Sequence, residues 1–161
     1  MGKTRITAPP GQPYIDIERE FNAPRELVHR AYLEPELITQ WLGPRKYEMV
    51  IDAWDVRDGG RWRYVHRGDA GEFGFHGVFH GEPSPDGFTQ TFEFEGAPGH
   101  VSLERLTLEE RDGTTIARTH SVFQSVEARD AMVASGMAEG LNEGFDRLDA
   151  VLAGLRPVAV H

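Results

Sequence analysis

Tyr64, His66, Arg118 and His120 are the residues whose types and spacing could do chemistry. Each pair is separated by one residue, and on a strand residues two apart share a face. If both pairs point into one concavity, they form a polar cluster among Trp62, Phe92 and Phe94. A histidine beside a tyrosine can do acid–base work on a carbonyl compound. The same cluster can orient a bound molecule without chemistry, because ligand cavities are mostly apolar with a few placed polar groups. It can equally be an internal network or face solvent. His76 and His80 also look paired, but at about 3.3 Å per residue they lie roughly 13 Å apart on a strand. No third ligand stands at a suitable spacing, so no metal is expected. No phosphate loop, dinucleotide fingerprint, Gly-x-Ser-x-Gly or His-Glu-x-x-His occurs. The chain has no cysteine, which excludes thiol nucleophiles, disulfides and thiolate zinc sites. These residues therefore assign no catalytic group and no cofactor.

The composition sets the frame for that cluster. A chain of 161 residues suits one domain with a usable core. Hydrophobic residues make up 39% and charged residues 27%, as in a soluble globular protein. The net charge is −9 with no basic stripe, which disfavours nucleic acid and an anionic membrane surface as partners. No signal peptide or membrane span is read, and the lack of cysteine fits a cytoplasmic location.

Residues 1–13 hold Pro9, Pro10 and Pro13 and read as a flexible N-terminal arm. Tyr14 to Phe21 alternates as a strand. Asn22 can cap a first short helix with Pro24 in its opening turn, and Glu34-Pro35 starts a second that carries Leu37, Ile38 and Trp41. From Lys46 the period becomes two, with turns at Asp58-Gly59-Gly60, Gly68 to Gly71, Ser84-Pro85-Asp86-Gly87, Gly96 to Gly99 and Asp112-Gly113. This predicts six strands in a meander. The apolar parity slips between Leu103 and Leu106, which suggests a bulge.

Val126 to Leu155 predicts one long helix. Its apolar residues, from Val133 and Met137 through Leu155, fall in an arc about 120° wide at 100° per residue. Ser125 can cap it, Glu143 and Arg147 can pair at i,i+4, and Pro157 ends it, leaving residues 156–161 as a tail. Gly136, Gly140 and Gly144 line one edge of the arc. Each costs roughly 1 kcal/mol against alanine, so the helix either presses close on another element there or leaves space beside it. A six- or seven-stranded twisted sheet curls, and the last helix is the only cover large enough for its apolar face. A cavity between the two is the expectation.

The motifs then resemble a known family. Phe21-Asn22-Ala23-Pro24-Arg25-Glu26-Leu27-Val28 is similar to the opening strand-to-helix signature of the activator-of-heat-shock-protein-90-ATPase-like family, within the START-like, helix-grip superfamily (SRPBCC). Trp41-Leu42-Gly43-Pro44 resembles its Trp-x-Gly-Pro turn, and Gly59-Gly60-Arg61-Trp62-Arg63-Tyr64 its third-strand motif. Gly113-Thr114-Thr115-Ile116 with Thr119-His120 resembles its last hairpin. Gly136-Met137-x-x-Gly140 through Phe145-Asp146-Arg147-Leu148 resembles its closing helix.

The resemblance covers about residues 14–155. It implies an α+β helix-grip fold with an internal cavity: a curved antiparallel six- to seven-stranded sheet around a long C-terminal helix, with two short helices after the first strand. The leading expectation is binding of a small hydrophobic or aromatic molecule there, without covalent chemistry. The expected lining is Trp41, Trp62, Tyr64, His66, Phe79, Phe92, Phe94, Arg118, His120, Met137 and Leu141. One alternative is a polyketide cyclase- or hydrolase-like enzyme using His66, His120 and Tyr64. Another is a protein-interaction module related to chaperone activation. Exposed strands in the meander could also pair two copies in a homodimer.

Overall fold

The computed structural model describes residues 3–155. The strands are β1 (Arg5–Thr7), β2 (Tyr14–Phe21), β3 (Glu48–Trp54), β4 (Arg61–Gly68), β5 (Gly71–Ser84), β6 (Gly87–Phe94), β7 (Val101–Arg111) and β8 (Thr114–Val122). The helices are α1 (Arg25–Leu33), α2 (Pro35–Ile38), α3 (Val126–Ala134) and α4 (Met137–Leu155). The strands form one antiparallel sheet in the order β1-β2-β8-β7-β6-β5-β4-β3. Short turns force each meander strand beside its predecessor. The pair α1–α2 carries the chain from β2 to the far edge at β3. Residues 156–161, and with them Pro157, lie outside the described residues.

Several elements differ from the sequence expectation, each for a physical reason. The arm contains an eighth strand: β1 adds to the edge of β2 with Ile6 opposite Ile17. Arg129 holds the arm further on, donating from Nη1 to the carbonyls of Pro9 at 2.9 Å and Tyr14 at 3.2 Å. The first helix starts at Arg25 with Pro24 at its N-cap position, two residues later than an Asn22 cap would place it.

The long terminal segment is two helices. Ser125 caps α3 through its Oγ, which accepts from the Ala128 amide at 3.0 Å. Gly136 then takes φ +85°, a left-handed conformation that ends α3 and starts α4 in a new direction. Glu143 and Arg147 form no i,i+4 ion pair, and each holds the loop after α2 instead. The Glu143 carboxylate accepts from the Arg45 amide at 2.7 Å, and Arg147 donates to the Gly43 carbonyl at 3.2 Å.

Strand β7 has no bulge. Its register runs unbroken from Val101 to Arg111, so the parity slip has another meaning: Leu103 points outward and is 48% exposed, while Glu104 points inward. The register shifts that do occur lie in β3, after Ile51, and in β5, after His80.

The helices cover one face of the sheet. Phe21, Val28, Ala31, Trp41, Phe79, Leu106, Leu108, Phe145, Leu148 and Leu152 form the core beneath them. Helix α4 packs on α1 and along the Trp41–Gly43 turn. A Cβ on Gly144 would stand 3.1 Å from the Trp41 carbonyl oxygen, so at this glycine the close-packing reading applies.

Candidate functional site

Strand alternation decides which side chains meet on the face that the helices cover. From β4 come Trp62, Tyr64 and His66; from β5 Phe73, Phe75 and Phe79; from β6 Phe88, Gln90, Phe92 and Phe94. Trp62 lies 5.6 Å from Tyr64 and 5.9 Å from Phe92 between ring centroids, and Tyr64 lies 5.1 Å from Phe75. This is a continuous aromatic floor. Phe79 is fully buried in it, while Trp41 is fully buried against Tyr32 and Phe145 of the helix layer and donates its indole N–H to the Ala31 carbonyl at 2.9 Å. The Trp62 ring is 2% exposed, and its buried N–H has no acceptor among the described residues.

The polar group of this face is Glu104, which lies outside the Tyr64, His66, Arg118 and His120 set. Glu104 of β7 accepts from Gln90 Nε2 at 2.9 Å on one oxygen and from Ser121 Oγ at 3.3 Å on the other. Among the described residues no cation stands within ion-pair distance of it. Burial pushes the Glu104 carboxyl above the usual carboxylate range, against the pull of its two donors. Burial likewise raises the Tyr64 and Tyr32 hydroxyls, and the Glu104 charge raises both further; Arg19 works the other way on Tyr32. The signal for Glu104 was in the sequence: a charged residue in phase with Leu106 and Leu108.

His66 sits at the end of this face, 7% exposed. It lies 5.0 Å from Tyr64 and stacks on Tyr47 at 5.8 Å with the rings 3° apart. Burial lowers its pKa, the nearby Arg147 charge lowers it further, and the Leu42 carbonyl opposes both. Arg118 and His120 are not in this group. They project from the opposite face of the sheet, where Arg118 pairs with Glu18 and Glu109, and His120 pairs with Asp16 and packs on Tyr14. The alternation of β8 turns Ala117, Thr119 and Ser121 inward instead. His76 is also on the outer face, held by Glu93 and Glu95, and His80 is exposed.

Burial along α4 is uneven. Phe145, Leu148 and Leu152 are buried, whereas Met137 and Leu141 are half-buried. The inner face beneath shows the same contrast. Tyr32 and Glu104 lie deep within the molecule, yet each keeps accessible surface, as do Gln90, Phe92, Phe75 and Thr119. Two open hollows elsewhere, about 520 and 470 Å³, are bordered mostly by outer-face residues, the first also by Phe73 and Phe94 and the second by Ile17 and Thr119, and neither borders Glu104.

With that geometry in place, the relatives are informative. Residues 22–153 match the family described as Activator of Hsp90 ATPase homolog 1-like protein. The chain belongs to this family. The Activator of Hsp90 ATPase homolog 1-like chain also shares its fold with solved structures. A Rhodobacter sphaeroides protein is 28% identical with a TM-score of 0.87, over 95% of this chain and 100% of that one. A Mycobacterium smegmatis protein is 24% identical with a TM-score of 0.84, over 100% and 99% of the two chains. An Arthrobacter aurescens protein is also 24% identical, with a TM-score of 0.84 over 98% and 95%. These likenesses establish the START-like helix-grip architecture. No curated protein matches. Among the described residues no helix is long and apolar enough to cross a membrane.

Proposed function

We propose that this chain is a non-enzymatic binding module for a small hydrophobic or aromatic molecule, held between α4 and the inner face of the sheet. One observation carries the reading: Tyr32, which α1 turns toward Phe88 of the sheet, and Glu104 on the sheet face that the helices cover keep accessible surface although both lie deep within the molecule. A core packed to ordinary density leaves few voids larger than water. Accessible area at that depth is what the wall of a guest space has, and aromatic walls with a few polar groups suit a small organic molecule. The half-buried Met137 and Leu141 support an entrance under the first two turns of α4, next to the Gly136 break. The acid–base trio His66, His120 and Tyr64 is not assembled, because His120 stands on the far side of the sheet.

Native mass spectrometry of freshly purified protein tests the reading. The expected result is a species heavier than the bare chain that loses the extra mass on denaturation. Binding of the neutral dye N-phenyl-1-naphthylamine, with a rise and blue shift of its emission, is expected alongside. A bare-chain mass together with no dye response would overturn the proposal.

A further inference from the structure

We propose that Glu104 is the polar anchor of the space under α4, and that the guest it takes is an organic amine, protonated at neutral pH, with an aromatic body. This rests on the binding reading above and adds the ligand's charge and shape. Glu104 is the acidic side chain that the sheet turns toward the aromatic floor, in register between Gln90 on β6 and Ser121 on β8. Each carboxylate oxygen has one donor, from Gln90 and from Ser121, so each keeps acceptor capacity toward the interior. Neither donor carries charge. Arg19, the buried cation that acts on Tyr32, is committed to Asp149 and Asp146 and is not available to Glu104.

A carboxyl in a site of low dielectric with no counter-charge is disfavoured as an anion, and a cationic guest removes that cost. Burial already raises the carboxyl toward its neutral form, so an ammonium group would restore the anion as it binds. The surrounding rings favour the same guest. Phe75 and Phe92 keep accessible surface and offer π faces, which attract cations and stack on flat apolar bodies, with Trp62 and Tyr64 buried as their backing. The overall charge of −9 draws cations toward the protein and repels organic acids.

The test uses three phenyl compounds of similar length at pH 7 in about 0.15 M salt, which screens the long-range field of the protein. They are 2-phenylethylamine (cation), 2-phenylethanol (neutral) and 3-phenylpropionate (anion), titrated by calorimetry into the full chain. The amine is expected to bind at least about tenfold tighter than the alcohol, as a charge-assisted hydrogen bond would give, and the acid weakest. In Glu104→Gln the amine and alcohol should converge to within about twofold while the alcohol keeps its affinity. Equal binding of amine and alcohol to the unaltered protein would overturn the amine anchor and leave the guest space standing. An amine preference that persists in Glu104→Gln would also overturn it. Binding of none of the three would overturn the anchor, and the dye and native-mass results would then decide the guest space separately.

Discussion

The guanidinium of Arg19 grips the carboxylate of Asp149 with two parallel hydrogen bonds, Nη1 to Oδ1 at 3.2 Å and Nη2 to Oδ2 at 2.8 Å. Arg19 is a strand residue 2% exposed, and Asp149 is a helix residue 130 positions later. The guanidinium also lies over Phe21, 4.8 Å from the ring centroid, and donates to the Glu20 carbonyl. This clamp fixes the C-terminal half of α4 to the sheet.

Removing the carboxylate strands a buried cation, and that is the costly error in a buried pair. Asp149 is partly exposed and Asp146 stands 3.5 Å away as a second acceptor, so the full penalty is not expected. Asp149→Ala should lose about 2 kcal/mol in urea unfolding. Replacing the arginine as well, in Arg19→Met/Asp149→Ala, should recover at least half of that by removing the stranded charge. A double variant no more stable than Asp149→Ala would refute the account.

Two of the glycines of α4, Gly140 and Gly144, should respond with opposite signs. At Gly144 a new Cβ would meet the Trp41 carbonyl at 3.1 Å and the Gly43 amide at 3.4 Å, both backbone atoms of a turn tied down by Arg147 and Glu143. At Gly140 it would meet only Pro44 Cγ, at 3.7 Å. Gly140→Ala should therefore stabilise by about 0.5–1 kcal/mol through helix propensity and a less flexible unfolded chain. Gly144→Ala should destabilise by about 1 kcal/mol or more despite the same propensity gain. Thermal unfolding of both, side by side, checks the contrast; a stabilised Gly144→Ala would mean the turn yields freely.

Acid should weaken the fold through His66. Its folded pKa lies below the unfolded value because burial disfavours the imidazolium. The unfolded state then binds the proton first, so the contribution of the neutral ring is fully present above about pH 6.5 and is lost as pH falls from there toward the folded pKa. His29 shifts in the same direction and adds to the slope. His66→Phe keeps a ring against Tyr47 and Tyr64 but cannot titrate. Its unfolding free energy should fall less steeply than the parent's between pH 7 and 5; matching slopes would place the acid sensitivity elsewhere.

How far the amino acids declare this arrangement depends on the strand. In β4 and β6 the large rings share one parity, so their inward face is readable directly from Trp62-x-Tyr64-x-His66 and Phe88-x-Gln90-x-Phe92-x-Phe94. In β8 the inward residues are Ala117, Thr119 and Ser121, small and mostly polar, while Arg118 and His120 are the conspicuous ones. Size misleads there, and only the register with β2 and β7 settles the face. In β7 the difficulty is inverted: Leu103 is outside and Glu104 inside, so hydrophobicity alone suggests a bulge where none exists. The Gly136 break is hidden because apolar spacing continues across it, although Val133, placed on the apolar arc, is 44% exposed. The arm's strand is hidden by its flanking prolines, and it forms because β2 leaves an edge to be completed.

The unbroken ladder of β7 makes Leu103 and Glu104 a single alternative rather than two placements. Strand side chains alternate with period two, so sliding β7 by one residue would carry the leucine inward and set the acid in water. Amino-acid content and total oiliness would be identical in the two alignments. Only one of them has a carboxyl among the rings, which makes the alignment of this strand a carrier of chemical information as well as of shape.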